Sequence, residues 1–198
     1  MSQFTTIVIT SPEEQDSENA AITELLKSGA ADFVHIRKPD IALSYVKRLV
    51  EKIPADLHER LRLHDHFTLL DEFNMAGVHL NSRCMTPPEK ANSLSKSCHS
   101  LDEISGIDSR FKYVTLSPVF DSISKQGYIS SFNLDALKGK LDAHNVIALG
   151  GIIPEHFPVL SQTGFVGGAM LGYVWNHQGQ IADLIKEILK YKEICCNI

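Results

Sequence analysis

Cysteine is scarce in this 198-residue chain, with four residues at Cys84, Cys98, Cys195 and Cys196, none spaced Cys-x-x-Cys. That pattern gives no disulfide framework, and adjacent Cys195 and Cys196 cannot pair without strain, so a reduced, cytoplasmic protein is expected. An excess of positive charge is also missing. Nineteen Lys and Arg against 24 Asp and Glu leave a formal charge of −5, which offers a nucleic-acid backbone nothing to bind. Residues 1–10 have neither a basic start nor a long apolar core, so neither a signal peptide nor a membrane span is expected. Internal repeats, low-complexity tracts and linkers are absent, and residues 1–198 read as one domain large enough to bury a core.

The chain does contain a regular alternation of short apolar runs and amphipathic stretches. Residues 4–9 are β-branched and apolar, and Ser11-Pro12-Glu13-Glu14 is a capping-box pattern that predicts a helix running to about Lys27. Residues 33–38 form a second strand, followed by a helix marked by Leu43, Val46, Leu49 and Val50. Further strands are predicted at 61–65, 77–80, 96–99, 113–116, 146–149 and 165–171. Short helices are predicted near 68–75, 101–104 and 134–141, with a last amphipathic helix through Ile181, Leu184, Ile185, Ile188 and Leu189. Residues 81–92, with Pro87-Pro88, read as a loop. Eight strand-helix units predict a closed (β/α)8 TIM barrel, with an open doubly wound sheet as the alternative.

Two strand ends are rich in glycine: Ala148-Leu149-Gly150-Gly151 and Val166-Gly167-Gly168, the latter running on to Leu171-Gly172. Late in such a barrel, glycine loops after strands seven and eight suit a phosphate, because the bare backbone can approach it closely. The other strand ends carry ionisable and hydroxyl residues, namely His35, Arg37 and Lys38, then His64, Asp65 and His66, then His79, Ser97, His99, Ser122, Ser124 and Lys125. Period-two alternation turns Val34 and Ile36 toward the helices and His35 and Arg37 into the barrel mouth. The rim suits a phosphorylated substrate, since Arg and Lys supply charge-assisted donors. His64 and His66 with Asp65 and His79 form an alternative metal site of zinc type, which would make the protein a hydrolase.

These residues resemble those of the thiamine phosphate synthase and TenI-like family across almost the whole chain. Phe33-Val34-His35-Ile36-Arg37 is similar to a strand end of that family, as are Ala76-Gly77-Val78-His79-Leu80, Ser97-Cys98-His99-Ser100 and Tyr113-Val114-Thr115-Leu116-Ser117-Pro118-Val119-Phe120. Lys125 and Ala148-Leu149-Gly150-Gly151-Ile152 complete the set in the same order. The resemblance implies a transferase that joins hydroxymethylpyrimidine diphosphate to a thiazole phosphate and releases pyrophosphate with magnesium. It assigns Arg37, Ser97 and Lys125 to the diphosphate and to catalysis, Asp65 to magnesium, and Ser122, Ser124, Gly151, Leu171 and Gly172 to the thiazole phosphate. His35, Lys38 and His64 occupy further substrate-binding positions, but with residues that differ from those of the synthases. Cys84 stands where the second magnesium-binding aspartate is found, and cysteine is a poor ligand for a cation that prefers hard oxygens. The TenI-like branch implies instead a metal-free thiazole phosphate tautomerase, although Pro118 occupies the position of its histidine. A non-catalytic thiazole-phosphate-binding protein is the third reading, and a homo-oligomer remains open.

Overall fold

The computed structural model describes residues 4–121, 132–141 and 144–197. Eight strands run through it: β1 (Thr5–Ile9), β2 (Phe33–Ile36), β3 (Leu61–Leu63), β4 (Gly77–Leu80), β5 (Leu94–Cys98), β6 (Phe111–Leu116), β7 (Val146–Leu149) and β8 (Gly167–Met170). Each pairs in parallel with the next, and β8 pairs back onto β1 to close the barrel. Closure excludes the open doubly wound sheet. The surrounding helices are α1 (Glu18–Lys27), α2 (Leu43–Glu51), α3 (Leu101–Ser105), α4 (Leu134–Leu137), α5 (Phe157–Thr163), α6 (Gly172–Asn176) and α7 (Ile181–Cys196).

Alternation along the strands sorts side chains into two cores. Val8, Val34, Ile36, Leu61, Leu63 and Val78 face outward and pack with helix residues such as Ile22, Leu25, Val46 and Ile188. Each such side chain contributes about 1.5–3 kcal/mol through burial. The inner cluster is small and one-sided: Ile7 and Ile9 of β1, Ile147 of β7 and Ala169 of β8, with Tyr113 of β6. The remaining interior, lined by β2 to β6, holds buried polar groups, among them His35, Arg62, His64, His79, Ser95 and Thr115. An apolar half therefore faces a polar half inside one barrel, and the polar half positions the site.

Several local expectations change. Ser11-Pro12-Glu13-Glu14 does not start α1, which begins at Glu18 after Ser17 in the left-handed region at φ 58°. The Glu13 carbonyl accepts instead from the Lys38 ammonium, and the Ser11 hydroxyl accepts from the Glu13 N–H at 3.3 Å, so both are drawn into a turn. The helix expected near 68–75 is a single 3-10 segment, Phe67–Asp71, and α4 stops at Leu137 rather than 141. Residues 81–93 contain no helix; an isolated bridge between Asn81 and Cys84 is their regular pairing.

Candidate active site

Register brings the polar interior together. His35 is paired with Arg62 across β2 and β3, and His79 with Ser95 across β4 and β5. His35 Nδ1 lies 2.8 Å from His64 Nε2, and His35 Nε2 lies 2.6 Å from the Tyr113 hydroxyl. His79 reaches Ser95 Oγ at 2.8 Å through Nδ1 and Ser97 Oγ at 2.9 Å through Nε2. Below them the Arg62 guanidinium donates to the Val78 carbonyl at 2.8 Å and to Ser93 Oγ at 2.5 Å.

Burial keeps these histidines neutral, because no water remains to solvate an imidazolium. Desolvation is the largest cause of depression for all three, and the Arg62 charge adds to it for His35 and His79. His79 is lowered to about 3. Desolvation also raises the Tyr113 phenol above its ordinary value, leaving it a protonated hydroxyl.

Above this cluster, at the C-terminal ends of the strands, lies a cavity of about 370 Å³. Its charged and titratable lining among the described residues is Arg37, Arg83, His64 and His99, with the hydroxyls of Ser82, Ser97 and Ser117. Burial lowers the Arg37 pKa and the neighbouring Arg83 cation lowers it further, opposed in part by Asp65 and Asp40. Two guanidiniums lining a hydroxyl-bearing cavity, one of them also paired with Asp65, suit an anion there. A second depression of about 280 Å³ adjoins the first, shares Asn81, Ser82, Ser97 and His99 with it, and adds the apolar Leu80, Met85 and Phe111 with the charged Lys96 and Glu103. A larger hollow of about 490 Å³ is lined by Glu14, Asp16, Arg48 and Lys52 among others. It lies away from the strand ends, and its mixed charge selects no ion.

Arg37, His64, Ser97 and Leu171 therefore meet at one cavity. His35 lies beneath it, fully buried, and touches the cavity through His64. Lys38 is not at the mouth. Its ammonium is paired with Glu18 at 2.8 Å, with both side chains excluded from water, because Lys38 starts from the face of β2 opposite His35 and Arg37. Ser122, Ser124 and Lys125 lie outside the described residues. Gly150 and Gly151 turn the chain after β7 at φ 94° and 63°. A Cβ on Gly151 would come within 2.2 Å of the Asp121 carbonyl oxygen, so the turn requires glycine. Leu171 precedes α6, whose Trp175 Nε1 donates to the Ile9 carbonyl at 2.7 Å and ties the end of β8 to that of β1.

Two expected metal arrangements change. Asp65 Oδ2 accepts from the Lys38 N–H at 3.2 Å and Oδ1 from Arg83 at 3.3 Å. Cys84 is close enough to feel the Asp65 charge, and burial with that charge raises its thiol pKa, which keeps it protonated. One carboxylate already engaged on both oxygens beside a protonated thiol does not fit magnesium's demand for hard oxygens. The His64-x-His66 pairing also fails. His66 has φ 55°, which turns its ring away to the Lys38 carbonyl at 3.2 Å. Among the described residues, the group capable of holding a metal is His35, His64 and His79.

Sequence reasoning missed Arg83, which sits in a stretch read as loop, and Arg62 and Tyr113, read as ordinary strand residues. Alternation places Arg62 on the inner face with His64, a signal that was available.

Among the described residues no helix is long and apolar enough to cross a membrane. The family model described as thiamine monophosphate synthase matches residues 6–174. The chain is 31% identical to the thiamine phosphate pyrophosphorylase of Bacteroides thetaiotaomicron, over 98% of both chains with a TM-score of 0.83. The thiamine phosphate pyrophosphorylase of Pyrococcus furiosus shares the fold, at 18% identity over 97% of this chain and 96% of that one, with a TM-score of 0.76. So does the (S)-3-O-geranylgeranylglyceryl phosphate synthase of Thermoplasma acidophilum, at 13% identity over 96% and 93% with a TM-score of 0.67. No curated protein matches the chain in sequence.

Proposed function

The chain belongs to the thiamine monophosphate synthase and TenI family, and from that premise we propose a thiamine phosphate synthase-like transferase that joins hydroxymethylpyrimidine diphosphate to a thiazole phosphate. The observation that carries this reading is the cavity at the strand ends, where Arg37 and Arg83, the latter also paired with Asp65, face the hydroxyls of Ser82, Ser97 and Ser117. In the coupling, the bond between the pyrimidine methylene and the diphosphate oxygen breaks, and the electron pair leaves with pyrophosphate. The thiazole nitrogen then attacks the carbocation-like methylene. Arg37 and Ser97, with Arg83 once it turns from Asp65, would hold the departing charge as it develops. Lys125 belongs to the same set by family resemblance. The adjoining lobe, with Leu80, Met85 and Phe111 beside Lys96 and Glu103, would take the pyrimidine ring, and the backbone around Gly151, Leu171 and Gly172, with Ser122 and Ser124, the thiazole phosphate. Magnesium has a weak basis in these residues, and no step is assigned to it.

A second reading has its own support. His64 is a neutral imidazole lining the cavity, suited to move a proton on a bound thiazole phosphate as a tautomerase would. The two separate in one experiment: pyrophosphate release from both substrates, with and without magnesium, beside solvent deuterium incorporation into thiazole phosphate alone. Release together with thiamine phosphate supports the transferase. Deuterium incorporation without release overturns it in favour of the isomerase.

A further inference from the structure

His35 on β2, His64 just past β3 and His79 on β4 each offer one ring nitrogen, and the three atoms lie within 4.8 Å of one another. The His64 and His79 rings stack with centroids 4.2 Å apart, and His35 stands edge-on to His64 at 4.9 Å. All three come from adjacent, register-locked strands or their ends, so the barrel wall holds the geometry rather than a loop.

We propose that His35, His64 and His79 form a binding site for one divalent transition-metal ion of the zinc or cobalt kind, inside the barrel beneath the cavity. The donors would be His35 Nδ1, which faces the His64 ring, His64 Nε2, and His79 Nε2, which points to Ser97. The nitrogen left over on His35 meets the Tyr113 hydroxyl at 2.6 Å, and that on His79 meets Ser95 Oγ at 2.8 Å. Such hydrogen bonds fix the tautomer and aim the free lone pair at a metal. Three imidazoles with one position left open is a common donor set for zinc, whose Zn–N distances are about 2.0–2.1 Å. Tetrahedral zinc needs ligand nitrogens about 3.3 Å apart, so the facing His35 and His64 nitrogens, now 2.8 Å apart, must spread, and the His79 ring, stacked on His64 at 17°, must turn to aim its lone pair at the same ion. The open position would point toward Ser97 and the cavity, where a water or a phosphate oxygen could complete the coordination.

The Arg62 cation opposes a second positive charge here. That opposition is the same for any divalent ion; the all-nitrogen donor set is what disfavours magnesium and favours zinc or cobalt. The site uses neither Asp65 nor Cys84 and does not depend on the coupling reaction.

The test uses chelator-treated, full-length protein titrated with Zn²⁺ alone by calorimetry and with Co²⁺ alone by visible absorption. Stoichiometric uptake with the intense absorption of tetrahedral cobalt, displaced by zinc, is expected. Tyr113→Phe should weaken uptake about 10–100-fold, and His35→Gln and His79→Gln should weaken it further. His66→Gln and His99→Gln should leave it unchanged. Absence of stoichiometric uptake by the unsubstituted protein overturns the proposal, and so does loss that follows His66 or His99 rather than His35 and His79. The unsubstituted titration needs no variant to fold. Pyrophosphate release, assayed separately, decides the transferase reading whichever way the metal result falls.

Discussion

The Lys38 ammonium and the Glu18 carboxylate meet at 2.8 Å, one from the end of β2 and one from the first turn of α1, with side chains 0% and 1% exposed. The pair fastens the loop before α1 to the strand that carries His35 and Arg37. Desolvation raises the Glu18 pKa, opposed by the Lys38 hydrogen bond and charge, so either partner left alone would be a buried, unpaired group. Lys38→Met alone should lower unfolding stability by about 3–5 kcal/mol. Lys38→Met with Glu18→Leu should recover most of that loss. Denaturant unfolding of the three proteins checks it, and a single variant as stable as the parent would show the pair is not needed.

The three interior histidines predict acid sensitivity. Their folded pKa values lie below the ordinary 6.5, with His79 at about 3, so at acid pH the unfolded chain binds protons that the folded barrel refuses. Their contribution is fully present above about pH 6.5 and is lost as pH falls toward the folded values. The slope should approach about 1.4 kcal/mol per pH unit for each histidine. Denaturant midpoints from pH 8 down to pH 4, in chelator, should show a decline that flattens in His79→Gln. An equal slope in that variant would place the acid sensitivity elsewhere.

Arg37 and Arg83 should share the binding of a diphosphate. Charge-assisted hydrogen bonds are worth about 1.5–3 kcal/mol each, so Arg37→Ala or Arg83→Ala should weaken pyrophosphate binding roughly 10–150-fold. Calorimetry with inorganic pyrophosphate reads this directly, and the affinity should fall with added salt. Arg83→Ala binding as tightly as the parent would remove Arg83 from the anion site.

Gly151 should tolerate no side chain. At φ 63° an L-residue pays about 1–2 kcal/mol for the backbone alone. The added Cβ would also press within 2.2 Å of the Asp121 carbonyl, so the loop after β7 must shift. Gly151→Ala should lower the melting temperature and weaken inorganic phosphate binding together. A stable Gly151→Ala protein with unchanged phosphate affinity would take this turn out of the phosphate site.

The barrel itself was legible because its signals are local. Short apolar runs such as Val146-Ile147-Ala148-Leu149, closed by glycines, read as buried strands, and their alternation with amphipathic stretches leaves few ways to close a core. Period two also placed His35 and Arg37 on the inner face before any contact was known. The start of α1 was misread because its outcome is not local. Ser11-Pro12-Glu13-Glu14 satisfies every rule of a helix cap, yet the buried Lys38 ammonium captures the Glu13 carbonyl, and a residue 25 positions away overrules the pattern.

By itself the sequence determined the eight-fold alternation, the inward set of charged and imidazole residues, and the glycine turn after β7, because each follows from backbone sterics or from spacing along one segment. Only the tertiary structure decided which inward residues meet. Barrel closure and register put His35 rather than His66 against His64, sent Lys38 to Glu18, and brought Arg83 from an irregular loop beside Arg37. Contacts between strands depend on stagger and tilt, which no stretch of sequence encodes alone, and the chemistry of this site lies in those contacts.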